Sequence, residues 1–133
     1  MNTVHRAILR LSLGRLGWHV ASMPVIELTT TGRKSGRPRT VMLTSPLQHH
    51  DAYVIVASRG GDDHHPAWFL NLRDEPEVEV KIGGGQRRRM RARIASAEER
   101  ASLWPKITAT FRNYGNYQAR TEREIPLVFL ESS

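Results

Sequence analysis

The sequence predicts an α+β domain, a small barrel or rolled sheet of about six mostly antiparallel strands with short helices inserted after the third and fifth. Three observations lead there. The chain has 133 residues, enough for one core and not for two. Its apolar residues fall in short β-branched or alternating runs separated by glycine-rich turns, the pattern of paired strands. A βαβα rhythm and a GxGxxG fingerprint are both missing, which argues against a doubly wound nucleotide fold.

The first twenty residues place Val4, Ile8, Leu11 and Leu16 on one helical face and leave Arg6, Arg10 and His19 for the other. Residues 1–22 are expected as a basic amphipathic helix and residues 23–133 as the folded domain. Two uses fit that arm: a helix lying on the domain, or a contact with anionic lipid through arginines that snorkel to the headgroups. Its apolar stretch, interrupted by Arg10 and Arg15, is too short for a cleaved signal peptide, and no run approaches the roughly 18 apolar residues of a membrane span.

Residues 25–31 are β-branched and read as the first strand. Two glycines in Gly32-Arg33-Lys34-Ser35-Gly36 turn the chain, and residues 39–45 return as the second. Residues 52–57 form a buried-strand run stopped by Ser58, Arg59, Gly60 and Gly61. A short helix follows over 65–73, with Pro66 suited to its first turn and Trp68 and Leu72 at i, i+4. Residues 77–82 and 89–94 alternate on either side of Gly83, Gly84 and Gly85, a hairpin with one dry face. A register that sets Ile82 opposite Gln86 puts Glu79 across from Arg89 and Glu77 across from Arg91. Ser96 and Glu99 match a capping box, opening a helix that Pro105 must end or restart, with a further helix from 106 to about 112. Residues 125–130 close the chain as a strand.

The net charge is +7, and 17 of the 20 basic residues are arginine, so the natural partner is anionic. Absence of cysteine removes disulfides, thiolate metal sites and a cysteine nucleophile. No nucleophile elbow or paired-carboxylate pattern is present. Asp62, Asp63, His64 and His65 are metal-capable, but adjacent side chains in a loop seldom converge on one ion, so no metal is expected. Glutamates interleaved with the basic hairpin residues dilute any continuous cationic stripe, which disfavours a nucleic-acid-binding module.

Three segments could carry chemistry. The turn from Gly32 to Arg39 gathers four cations, a hydroxyl and two glycines in eight residues; it is either a phosphate grip or a solvated basic hairpin tip. The run Ala57-Ser58-Arg59-Gly60-Gly61, with Trp68 nearby, either lets backbone amides approach a planar ligand or is a plain loop over a core tryptophan. Phe111, Tyr114 and Tyr117 recur every three residues, with Gly115 offering a bend, as core filler or as a half-polar wall that presents a phenol.

These residues resemble a known family. LTTTGRKSGRPR over 28–39, ASRGG over 57–61, HPAW over 65–68, Asn71-Leu72, Pro76, Glu99-Arg100, Trp104-Pro105, Tyr114, Tyr117-Gln118 and REIP over 123–126 closely resemble the deazaflavin-dependent nitroreductases of actinobacteria, which use cofactor F420. The likeness spans about residues 24–131. It implies a split β-barrel related to flavin-binding, pyridoxamine-oxidase-like proteins, with F420 preferred over FMN. By likeness, Arg33, Lys34, Arg37 and Arg39 hold the phosphodiester and oligoglutamate tail, Ala57, Ser58, Arg59 and Gly60 lie along the deazaflavin, and Trp68 and Asn71 border it. Thr44, Trp68, Phe111, Tyr114 and Tyr117 face the acceptor, and Ser58, Tyr114 and Tyr117 are the expected catalytic donors.

The chain departs from the pattern at Val41 and Met42, where relatives often carry Thr or Asn and then Pro, at Thr44 in place of Tyr, and at Phe111, which lacks a hydroxyl. Those changes touch the acceptor side rather than the cofactor grip. The implied activity is hydride transfer from reduced F420 to a quinone, activated alkene or nitro compound, by a monomer or homodimer. The implied location is the cytoplasm, with a peripheral contact at the inner face of the plasma membrane as the arm's second use. A non-catalytic F420 carrier or a flavin-using member would share the same motifs.

Overall fold

The computed structural model describes residues 19–20 and 23–133. Apart from His19–Val20, the expected N-terminal helix lies outside the described residues. The elements are β1 (His19–Val20), β2 (Met23–Thr31), β3 (Pro38–Thr44), β4 (Leu47–His49), β5 (Ala52–Val56), a 3-10 turn (Arg59–Gly61), α1 (Ala67–Asp74), β6 (Glu77–Ile82), β7 (Arg88–Ile94), α2 (Ala97–Thr110), α3 (Arg112–Ala119) and β8 (Leu127–Ser132). All six expected strands are present, with β1 and β4 as short additions.

Every strand pair is antiparallel, in the order β3-β2-β6-β7-β8-β5-β4 with β1 also on β2. The two ends of that series, β3 and β4, are separated only by Ser45 and Pro46, so one kinked segment joins both edges and the sheet curls round until its ends meet there. Ser45, 2% exposed, sews the junction: its N–H donates to Pro24 O at 3.1 Å and its Oγ to Val54 O at 2.7 Å. β3 and β4 do not pair with each other, so each keeps one open edge beside this junction.

Strand alternation feeds two cores. Along β8, Val128 and Leu130 pack with Ile26, Leu28, Ile55 and Val80 inside the roll, while Leu127 and Phe129 turn outward against Leu103, Ile107 and Tyr114 of the helices. Both faces of β5 and β8 are dry, which is why these strands are continuous apolar runs. The β6–β7 hairpin instead keeps one wet face. Its register is the expected one, Glu77 opposite Arg91 and Glu79 opposite Arg89. Arg91 pairs with Glu77 at 2.8 Å, but Glu79 takes Arg87 at 3.3 Å rather than its cross-strand neighbour.

The capping box forms as expected: Glu99 N–H donates to Ser96 Oγ and Ser96 N–H to Glu99 Oε1. Hydrogen bonds from Arg93 and then from the Ser96 backbone pull the Glu99 carboxyl down to about 2. The expected break at Pro105 does not occur. α2 runs through it to Thr110, because Pro105 and Ala101 both lie on the exposed side, where water can serve the carbonyl that proline leaves without its usual donor. The break comes at Phe111, whose φ of −124° and ψ of 90° end α2 and start α3.

Candidate functional site

The turn between β2 and β3 is built by its own backbone. Gly32 N–H donates to Arg37 O and Gly36 N–H to Gly32 O, both at 2.8 Å, while Ser35 Oγ accepts from Arg37 N–H. Gly36 has φ of 71°, a conformation that favours glycine. Asn71 of α1, 5% exposed, fastens this turn to the domain: its Oδ1 accepts from Arg33 N–H at 3.1 Å and its Nδ2 donates to Thr30 Oγ1 at 3.2 Å. Between the turn and α1 lies a cavity of about 350 Å3. Arg33, Lys34 and Arg39 line one part of it and Val41, Ala67 and Trp68 another, so a cationic end adjoins a flat apolar end. None of the four turn cations makes an ion pair among the described residues, whereas Arg87, Arg91 and Arg93 of the hairpin are all paired. Arg37 is exposed and lies outside the cavity lining.

At the end of β5, Ala57 is fully buried and Ser58 9% exposed, while Arg59 and Gly60 reach solvent. Arg59, Gly60 and Gly61 take φ of 45°, 64° and 85° in succession, so the chain curls tightly. α3 packs on this curl so closely that a Cβ on Gly61 would stand 2.6 Å from Tyr117 O. Asp62 Oδ1 accepts from the backbone and ring of His64, and these bonds lower its pKa. Among the described residues no group of three or more His, Asp or Glu is placed to share an ion.

The aromatic segment forms the third group. Tyr114 is 6% exposed and stands edge-on to both Phe111 and Tyr117, with centroids 6.4 and 6.0 Å away. Its hydroxyl lies 3.6 Å from Met23 Sδ and 3.5 Å from Thr44 Oγ1. Burial raises the phenol's pKa, opposed by the Thr44 hydrogen bond, so Tyr114 is a protonated donor at neutral pH. Gly115 is an ordinary helical residue of α3; the bend expected there sits at Phe111.

Arg33, Lys34, Arg39, Trp68 and Asn71 thus surround one cavity, while Thr44, Tyr114, Tyr117 and the 57–61 curl form a second group outside its lining. β3 runs past both, with Val41 at the cavity and Thr44 at the phenol, roughly 10 Å apart along the strand and on its opposite faces. Sequence reasoning missed the supports. Ser45 and Thr30 look like any strand hydroxyl, and Arg123, whose guanidinium holds the carbonyls of Ala57, Ser58 and Asp62, has partners some sixty positions away in the chain.

Comparison with known proteins gives a consistent picture. The family model described as F420H(2)-dependent quinone reductase matches residues 2–132. An F420H(2)-dependent quinone reductase of Mycobacterium tuberculosis is 40% identical over 131 residues, 96% of this chain and 87% of its own. The solved structure of an F420-H2 dependent reductase is 37% identical with a TM-score of 0.70, covering 81% of this chain and 94% of that one. A second, described as a domain-swapped dimer, is 34% identical with a TM-score of 0.71 over 97% of this chain and 96% of its own. A pyridoxamine 5'-phosphate oxidase-related, FMN binding protein of Nostoc punctiforme shares the fold alone, at 12% identity and a TM-score of 0.53 over 98% of this chain and 78% of that one.

Proposed function

The chain belongs to the F420H(2)-dependent quinone reductase family, and from that premise we propose that the cavity beside the 32–39 turn holds F420 and that the surface around Thr44, Tyr114 and Tyr117 receives a quinone-like acceptor. The observation that carries this reading is the cavity's division into an unpaired cationic end and an apolar end carrying Trp68. A ligand with a planar ring and a polyanionic tail matches both halves, and the cations face no competing carboxylate at ion-pair distance among the described residues. The residues present therefore fit the cofactor.

Bound F420H2 supplies a two-electron hydride donor. The chain's own part is to bind, orient and donate. Arg33, Lys34 and Arg39 hold anionic oxygens from the side, and Asn71 fixes the turn that presents them. Val41, Ala67 and Trp68 give a flat apolar wall that orients a ring. On the acceptor side, Tyr114 keeps its proton through burial, and Tyr117 and Ser58 add hydroxyls that can stabilise charge developing on a carbonyl or nitro oxygen. Arg37 reaches only the outer part of an anionic tail, because it stands at the exposed tip.

A quinone acceptor would bring the N-terminal arm into the same reading, as a peripheral contact of residues 1–20 with an anionic membrane. No helix among the described residues is long and apolar enough to cross one. The test uses reduced F420 with a menaquinone analogue, free and in anionic vesicles, for the full chain and for one lacking residues 1–20. Stoichiometric loss of reduced cofactor is expected for both chains with the free quinone, with a gain from vesicles only when the arm is present. Absence of turnover despite F420 binding would favour a carrier.

A further inference from the structure

Residues 120–126, between α3 and β8, form no helix or strand, yet two arginines of this strap take the carbonyls of the β5 curl. Arg123 Nε donates to Asp62 O at 2.7 Å, Nη2 to Ser58 O at 2.8 Å, and both Nη atoms to Ala57 O at 3.2 Å. Nη1 also donates to His65 Nδ1 at 3.1 Å, which makes that nitrogen the acceptor of a neutral imidazole. All five guanidinium donors are matched. Arg120 adds a bond from Nη1 to Gly60 O at 3.3 Å.

The consequence follows from peptide geometry. In a trans peptide the C=O and N–H of one unit point in opposite directions. Because the carbonyls of Ala57 and Ser58 end on Arg123, the N–H groups of Ser58 and Arg59 face away from it. Neither N–H has an acceptor among the described residues, unlike Gly61 and Asp62 N–H, which close the 3-10 turn on Ser58 O and Arg59 O. Arg123 is itself offset by carbonyl dipoles, with no carboxylate at ion-pair distance among the described residues. Its charge stands directly behind two outward-facing amides.

We propose that Arg123 is a positioning residue: it turns the Ser58 and Arg59 N–H groups outward and polarises them, making the β5 curl a donor pair for acceptor atoms on the cofactor's ring. This rests on the F420 reading above. Arg100 supplies the control, since it anchors the same strap through Ile125 O and Gln118 Oε1 without touching the curl.

The experiment compares Arg123→Gln, Arg123→Lys and Arg100→Gln with the parent chain by F420 titration, by kcat and KM for the acceptor, and by amide NMR of the apo protein. Arg123→Gln is expected to weaken F420 binding about 10-fold or more and to lower kcat with little change in acceptor KM, as a displaced positioning group does. Arg123→Lys should restore part of both. Without cofactor, the Ser58 and Arg59 amide resonances should shift in Arg123→Gln while those of β2 stay in place. Arg100→Gln should lower Tm yet leave F420 affinity within about 2-fold of the parent. Parent-like F420 affinity and unmoved Ser58 and Arg59 amides in Arg123→Gln would overturn the proposal, as would an equal affinity loss in Arg100→Gln. If Arg123→Gln does not fold, Arg123→Lys decides: moved amides with weakened F420 binding support the role, and parent-like values overturn it. Failure of the parent chain to bind F420 would sink the cofactor reading separately, leaving the apo amide shifts to report on Arg123.

Discussion

Tyr114 and Tyr117 lie one helical turn apart, yet their phenols meet different surroundings. Tyr114 is enclosed, with Met23 Sδ and Thr44 Oγ1 as its neighbours, whereas Tyr117 is half-buried beside the curl and carries Arg120 over its ring at 5.8 Å. Phenylalanine at either position keeps the stacking and removes one hydroxyl. Both variants are expected to retain F420 affinity, while kcat falls by about 10- to 100-fold where the lost donor stabilises charge only in the transition state. Steady-state kinetics with a quinone and with a nitro-heterocycle check this. A rise in KM alone would make the phenols binding groups, and unchanged kinetics for both variants would place the acceptor elsewhere. Tyr114→Phe should also lose about 1 kcal/mol of stability with its hydrogen bonds to Thr44 and Met23. The helical spacing of the aromatics was legible in the sequence; which phenol is enclosed was not, because Met23 and Thr44 reach Tyr114 only through β2 and β3.

Two glycines within sixty residues carry opposite requirements. Gly61 sits at φ of 85° and a Cβ there would meet Tyr117 O at 2.6 Å and Tyr117 Cα at 3.0 Å, so the close docking of α3 on the curl depends on it. Gly115 lies inside α3, where a Cβ would find Thr108 Cγ2 at 3.7 Å and Thr108 Cβ at 3.8 Å, ordinary contacts. Gly61→Ala is therefore expected to destabilise the fold by about 2 kcal/mol or more, combining a left-handed alanine with a backbone clash. Gly115→Ala should stabilise it by about 0.5 to 1 kcal/mol from helix propensity. Urea unfolding of both variants reads the contrast, and equal effects of one sign would mean that α3 moves freely against the curl. Strands were the legible elements: alternation gave the β6–β7 register residue for residue, because one face of that hairpin stays wet. Pro105 misled, since the carbonyl it strands lies on the exposed side of α2, where water can reach it.

Taken as a whole, the charge of +7 is distributed by use rather than spread evenly. Arg87, Arg91 and Arg93 of the hairpin neutralise Glu79, Glu77, Glu99 and Glu131, which accounts for part of an arginine run that sequence alone could have given to nucleic acid. The turn at 33–39 keeps its four cations free of acidic partners among the described residues, and three of them line the cavity. That division was half legible. The glutamates opposite the hairpin arginines announced the structural set, although only Arg91 takes its cross-strand partner, and the density of cations between two glycines announced the other, but the apolar part of the cavity is assembled only when α1 packs against β2 and β7 and brings Ala67 and Trp68 to the cavity that Val41 also lines. Unpaired surface cations act over roughly a Debye length, about 10 Å at 0.1 M salt and about 3 Å at 1 M. Affinity for F420 should accordingly fall steadily as salt rises, and more steeply than affinity for FMN, whose single phosphate engages fewer cations. Lys34→Ala should weaken F420 binding by about 1 to 3 kcal/mol at low salt and flatten the salt dependence, with Tm nearly unchanged because Lys34 lines the cavity and holds no ion pair among the described residues. Titrations of the parent chain and Lys34→Ala across a salt series read both effects. Parallel salt slopes for the two proteins, or equal affinities for FMN and F420, would place the anionic tail outside the turn and return Arg33, Lys34, Arg37 and Arg39 to the solvated surface.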